Sequence, residues 1–193
     1  DLMGAVVVPG LMDAHAHFVG FADGLGAADL VGTTSADEVL DKVLAHAALF
    51  PDGWVIGRGW DQNDWEETQF PNRADRLDRL FPDRPVILER VDGHAVWCNA
   101  VALERAGMVP GLHIEGGELL VAEDGQLTGV LIDGAADSLQ AWVPEPDSVL
   151  RAGYFKEAAR RLAAVGLTHI TDAGLEPQDV EAIAALQASG ELP

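Results

Sequence analysis

His15 and His17 stand two residues apart in the alternating stretch Leu11 to Phe18, which reads as a strand. Side chains two apart on a strand point to the same face, and their Cα atoms are ~6.5–7 Å apart. That separation lets two imidazole nitrogens reach one cation at ~2.0–2.1 Å. Asp13 is expected on the same face, placed to orient one imidazole from behind the metal ligands. By itself a His-x-His pair is weak evidence, because two partly exposed polar residues at a strand end explain it more simply.

Farther along, Trp60-Asp61-Gln62-Asn63-Asp64-Trp65 mixes aromatic and polar groups. Such a loop can line a pocket, giving apolar area and a few directing hydrogen bonds. Packing explains the two tryptophans equally well, so Asp61 is the better pocket candidate. Other chemistries find little support. Gly57-x-Gly59 lacks the third glycine of a dinucleotide loop, and no Gly-Lys-Ser/Thr phosphate loop is present. No Gly-x-Ser-x-Gly elbow exists either. Cys98, beside Trp97, reads as a buried inert thiol, and His46 and His113 read as structural.

The elements that would carry these groups follow from pattern. Ala5–Val8 is a β-branched run ended by Pro9-Gly10 and reads as a strand. Gly20–Gly32 reads as loop. Ser35-Ala36-Asp37-Glu38 is a capping box ahead of an apolar stripe at Val39, Leu40, Val43, Leu44 and Ala47, predicting a helix over 36–48. A strand is expected at 54–57, a short charged helix at 73–80, a strand at 85–90 and a helix at 99–106, where Asn99 is a capping candidate. A hairpin over 116–131 turns at Glu123-Asp124-Gly125. A long amphipathic helix over 148–165, a strand over 167–171 and a helix over 177–189 complete the chain.

The 193 residues carry 32 Asp and Glu against 12 Lys and Arg, a net charge of −20. Such a surface repels a phosphate backbone or an anionic membrane, so no nucleic-acid or membrane partner is expected. One cysteine cannot form an internal disulfide, which suits a reducing, cytoplasmic setting. No apolar run approaches the ~20 residues of a membrane helix. The chain opens at Asp1 and stops at Pro193 with no capping element, and both ends read as cut.

The run Asp1-Leu2-x-Gly4-x-x-Val7-x-Pro9-Gly10-x-x-Asp13-x-His15-x-His17 resembles the first-strand signature of the amidohydrolase superfamily. Gly57-Arg58-Gly59-Trp60-Asp61-Gln62, Asp92-Gly93-His94-x-x-Trp97-x-Asn99 and Gly166-Leu167-Thr168-His169-Ile170-Thr171-Asp172-Ala173-Gly174 are similar to the branch holding the N-substituted formamide deformylases. The resemblance implies an α/β fold: the first two β/α units of a (β/α)₈ TIM barrel, with a large α+β subdomain inserted after the first strand. The expected division is 1–19, an insert over 20–147, and 148–193. Outside the insert only about 65 residues remain, two units at ~30 residues each.

The same resemblance implies a metal-dependent hydrolase of amide-type C–N bonds that holds one or two divalent ions, zinc before others, through His15 and His17. It makes His94 a pocket residue, with direct ligation a lesser alternative. Asp172, just past the second barrel strand, fits a pocket role or a helix cap. His169, in mid-strand, fits the core as well as a site. The family's further ligands (a lysine and two histidines) and its late general-base aspartate have no counterpart here. The expected parent is therefore a longer enzyme, and the segment alone is expected to be inactive unless a second copy or the remaining polypeptide completes it. A non-catalytic acidic binding module with an incidental His-x-His, or a degenerate family member, are the competing readings.

Overall fold

Pro9-Gly10 delivers the chain into its first strand, and a Cβ at Gly10 would collide with the Thr168 side chain. Glycine is thus required where the first and last strands meet. The computed structural model describes residues 3–66, 68–73 and 76–192. In chain order the elements are β1 (Leu11–Ala16), α1 (Phe18–Gly24), β2 (Ala28–Asp29), α2 (Ala36–Leu49), β3 (Val55–Trp60), α3 (Leu77–Leu80), β4 (Val86–Arg90) and β5 (Ala95–Cys98). They continue with α4 (Ala100–Arg105), β6 (Gly117–Val121), β7 (Leu127–Asp133), α5 (Gly134–Gln140), α6 (Ser148–Ala164), β8 (Leu167–Asp172) and α7 (Pro177–Ala188). Contacts divide the chain into two units, Asp1–Gly26 with Pro146–Pro193, and Ala27–Glu145.

In the first unit β1 and β8 form a parallel two-stranded sheet. Phe18 and Ala22, four apart on α1, bury against Phe155 and Ala158 of α6, with the two phenylalanine rings 5.6 Å apart. That i, i+4 pair makes a helix where a Gly- and Ala-rich loop was expected at 20–32; β2 also falls inside that stretch. Ala5–Val8 corrects a second expectation, since it pairs with no described strand and lies exposed. Gly166 takes φ +86°, the left-handed turn that ends α6 and drops the chain into β8.

Arg151 of α6 ties this unit together. It pairs with Asp179 of α7 at 3.1 Å and with Asp23 of α1 at 3.8 Å, and the Asp179 side chain is only 7% exposed. Removing the cation leaves a buried carboxylate uncompensated, which costs on the order of 3 kcal/mol. Arg151→Met is expected to lower stability by about that much in chemical denaturation, and Arg151→Met with Asp179→Leu to recover most of it.

The second unit is a six-stranded mixed sheet in the order β2-β3-β4-β5-β7-β6. β2, β3 and β4 run parallel, and β4, β5, β7 and β6 alternate. Central strands covered on both faces read as unbroken apolar runs. Val86 and Leu88 enter one core with Trp60, Trp97 and the α2 residues Val39 and Val43. Ile87 enters the other with Val96, Cys98, Leu131 and Leu139. The Trp60 indole N–H donates to the Leu88 carbonyl at 2.7 Å. β5 and α5 were not expected from the sequence, whereas the hairpin of β6 and β7 was.

α2 begins as its capping box requires. The Ser35 hydroxyl accepts from the Glu38 N–H, while the Glu38 carboxylate reaches back to Thr34. Its far end is closed by Arg84, whose guanidinium donates to the carbonyls of Ala47, Phe50, Asp52 and Gly53. Those acceptors include the orphan carbonyls that a helix C-terminus leaves. The expected helix at 73–80 shortens to α3; Ala74 and Asp75 lie outside the described residues.

Candidate functional site

β1 does not keep a simple alternation. Asp13 pairs with Ile170 and Ala16 with Asp172, so three steps on β1 match two on β8. A bulge of this kind turns side chains off the two-residue period. Asp13 and Ala16 are the half-buried residues of the strand, and His15 is exposed. The expected common face of Asp13, His15 and His17 is thereby corrected. Asp13 follows the side that carries Ile170 and Asp172, and its carboxylate accepts from the backbone N–H of His15 at 3.0 Å. It holds the backbone at His15 rather than an imidazole.

His17 lies one residue past β1, as the N-cap of α1. Even so, the two imidazoles stay together, with centroids 5.4 Å apart and planes 84° apart. Two imidazoles bound to one tetrahedral ion have centroids about 5 Å apart, given metal–nitrogen distances of ~2.0–2.1 Å. The observed separation therefore fits two ligands of a shared cation, both on exposed rings. Among the described residues no group of three or more His, Cys, Asp or Glu side chains is placed to hold a metal. Two imidazoles alone are short of the three protein ligands of a catalytic zinc site.

Asp172 sits at the end of β8 and fixes His17 through the backbone. Its carboxylate accepts from Phe18 N–H at 2.6 Å and Gly174 N–H at 2.9 Å. Burial alone would raise this carboxyl, but the N–H groups of Gly174, Phe18 and Val19, with His17 nearby, hold it below the usual carboxylate range. The capping alternative accounts for these contacts. A carboxyl held low in the folded state stabilises above its unfolded value of ~3.9, and the gain is lost as pH falls through the folded value. Protection of the Phe18 and Val19 amides against hydrogen exchange should accordingly fall below about pH 4 in the wild type. In Asp172→Asn it should start lower and vary little with pH. His169 is exposed on β8, which removes it from the core.

A second group of polar side chains stands in the other unit. His94 follows the β4–β5 turn, and its Nδ1 lies 2.9 Å from Asp133 Oδ1. Asp92 accepts from the His94 N–H at 3.0 Å and forms a two-point pair with the Arg90 guanidinium at 2.8 and 2.7 Å. That pair holds Asp92 below the usual carboxylate range. Hydrogen bonding to Asp92 raises Arg90, with further contributions from Asp61 and Asp133. Asp61 caps the single 3₁₀ turn Gln62–Asp64, accepting from Asn63 N–H and Nδ2 at 2.9 and 2.8 Å. Asp61 and His94 thus belong to one charged cluster, whose members Arg90 and Asp133 were not singled out from the sequence. Asp133 carries one usable signal, since it precedes Gly134 at a strand end. Its partner is 39 residues away.

The tryptophans divide. Trp60 is core, whereas Trp65 and Trp97 also line a cavity of about 1080 Å³ beside the start of α2, with Thr34, Asp37 and Phe70. Asp64 and Trp65 bring the loop expected to line a pocket to this cavity, whereas Asp61, His94, Asp172 and the His15–His17 pair do not line it. Cys98 is fully buried, its thiol pushed up by burial and its Sγ–H donated to the Gly129 carbonyl. No helix among the described residues is long and apolar enough to cross a membrane.

A profile of the amidohydrolase family matches residues 1–193. The chain belongs to the amidohydrolase family. Among curated relatives, a Bacillus subtilis protein bearing the name amidohydrolase YtcJ is 38% identical over 146 residues, 75% of this chain and 27% of its own length. The Protein LONG AFTER FAR-RED 3 of Arabidopsis thaliana is 32% identical over 176 residues, 90% of this chain and 30% of its own. The N-substituted formamide deformylase of Arthrobacter pascens is 30% identical over 203 aligned residues, covering all of this chain and 37% of that enzyme. This amidohydrolase chain therefore spans between about a quarter and two fifths of these relatives. In fold it is similar to an uncharacterised metal-dependent hydrolase of Pyrococcus horikoshii, with a TM-score of 0.67 at 22% identity over 99% of this chain and 38% of that one. A second such hydrolase, from Pyrococcus furiosus, gives 0.65 at 24% identity over 95% of this chain and 36% of that one.

Proposed function

We propose that the chain is the N-terminal part of a metal-dependent hydrolase of amide-type C–N bonds. The observation that carries this is the His15–His17 pair, with ring centroids 5.4 Å apart, in a chain of the amidohydrolase family. The remaining ligands and the general base come from polypeptide beyond these residues, and the 193-residue segment alone is inactive. β1 and β8 are the first two strands of a (β/α)₈ barrel in this reading, and Ala27–Glu145 is its inserted subdomain. Substrates in this reading are small amides, a class to which the similarity to a formamide deformylase lends support, and the buried Cys98 thiol suits a reducing cytoplasm.

His15 and His17 would hold the divalent ion, zinc in this proposal. When bound, such an ion lowers the pKa of a water towards ~7 and stabilises negative charge growing on a carbonyl oxygen. This chain's own residues fix the backbone that carries the imidazoles. Asp13 holds the His15 backbone, and Asp172 pins the residues that follow His17. Rigid placement of ligands in this way preorganises a site before substrate arrives.

The full-length protein, purified without chelator, is expected to release aniline from formanilide, to lose that activity in EDTA, and to regain it with added zinc. Turnover unaffected by complete metal removal would overturn the proposal.

A further inference from the structure

Trp65 and Trp97 are 6% and 1% exposed, and the indole N–H of each is buried with no acceptor among the described residues. An indole nitrogen can only donate, and a buried one usually finds a partner. Trp60 shows the contrast within the same core, since its N–H donates to the Leu88 carbonyl at 2.7 Å. What Trp65 and Trp97 share is the cavity of about 1080 Å³ that both border. Its walls come from the start of α2, the segments 64–66 and 69–72, β5 and β7, all inside the Ala27–Glu145 unit. Buried polar groups left unmet call for a specific explanation, and two unmet donors beside one cavity point to an acceptor that comes from outside the chain.

The rest of the lining narrows what that acceptor can be. Leu40, Phe70 and the two indoles give apolar and aromatic area. Small-molecule sites combine such area, which takes up a ring-bearing body, with a few polar groups that orient it. Asp37, Asp64 and Glu66 also line the cavity. Arg76, the cation among the described lining residues, is already paired with Asp37 at 2.6 Å and Asp41 at 3.5 Å. The local field is therefore negative, which repels an anionic acceptor and leaves an uncharged one unopposed. We propose that this cavity binds a neutral, ring-bearing carbonyl compound whose oxygen is taken up by the unmet indole donors. Both nitrogens are shielded from solvent, so contact requires a small turn of the rings, and the indole resonances report it.

The test uses the full-length protein, labelled with ¹⁵N-tryptophan and stripped of metal with EDTA, and acetophenone as the probe. Trp65→Phe and Trp97→Phe assign the two indole signals. Before the probe is added, both N–H protons should resonate upfield of the hydrogen-bonded Trp60 proton. Acetophenone should move one or both downfield and leave Trp60 in place. It should bind at least about tenfold tighter than benzoate, which adds a charge, and than α-methylstyrene, which keeps the shape and has no acceptor. Trp65→Phe or Trp97→Phe, whichever removes the signal that moves, should weaken acetophenone at least about threefold, because the ring stays and the donor goes. The ranking of the three probes needs no variant, so it decides the matter even where a variant fails to fold. No binding of acetophenone, equal binding of benzoate or α-methylstyrene, or indole signals that stay unmoved would each overturn the assignment. Acetophenone has no C–N bond to cleave and the metal has been removed, so the result is independent of the hydrolase reading.

Discussion

Replacing His15 or His17 by Ala in the full-length enzyme is expected to lower formanilide turnover by on the order of 10³-fold, about 4 kcal/mol of barrier. The loss should follow metal content, because in the proposed function each imidazole would supply one of the few strong nitrogen donors to the ion. Asp13→Asn separates ligation from support. Asp13 touches the backbone at His15 and no imidazole, so its replacement should lower metal affinity by about 10-fold, in the range found for supporting groups. Elemental analysis beside turnover checks the ordering: His15→Ala and His17→Ala empty the site, and Asp13→Asn weakens it. Full zinc occupancy with normal turnover in His17→Ala would show that the ring next to His15 is incidental.

The second large effect is on folding. Asn99 is fully buried and makes four hydrogen bonds. Its Oδ1 accepts from Val86 N–H at 2.9 Å and Ala102 N–H at 3.1 Å, and its Nδ2 donates to the carbonyls of Phe81 and Arg84, each at 2.8 Å. One side chain thus joins β4, the start of α4 and the segment between α3 and β4. Asn99→Asp removes both donors and sets a carboxylate oxygen against two carbonyls. A buried, unpaired charge of this kind costs roughly 3–5 kcal/mol.

The pH dependence carries a definite sign. In the variant, burial raises the folded-state pKa of the new carboxyl above its unfolded value of ~3.9. The protonated form regains one donor, so stability of Asn99→Asp rises as pH falls towards about 4. The wild-type protein behaves oppositely through Asp172 and Asp92, which are held low and whose contribution is lost in acid. Melting temperatures of both proteins from pH 7 to pH 4 should therefore converge. A constant gap would show that no charge is buried at this position.

Much of this was legible because local signals and tertiary demands agree. The Ser35 box and the stripe through Val39, Leu40 and Val43 marked α2 because the same residues cap it and fill the core. Val86-Ile87-Leu88 read as a strand because both its faces are buried. α1 stayed hidden because its glycines and alanines signal a loop, while its order comes from Phe155 and Asp172, more than 130 residues away. β5 was masked by the turn Asp92-Gly93-His94 that precedes it.

At the candidate sites the same division holds. Spacing indicated that His15 and His17 could meet, and they do, but the bulge after Asp13 and the start of a helix at His17 reach that end by another route. Asp172 was placed at the strand end, yet its capping bonds depend on backbone N–H groups that only the folded chain brings near. Asp133 could not be found from spacing, because the β5–β7 pairing alone sets it beside His94.

The central claim is that His15 and His17 share one divalent ion. Crystals of the full-length protein, measured at the zinc absorption edge, test it most directly. The account predicts an anomalous peak within ~2.1 Å of one nitrogen of each imidazole. A zinc-replete protein whose only anomalous peaks lie elsewhere, with both rings unligated, would contradict it.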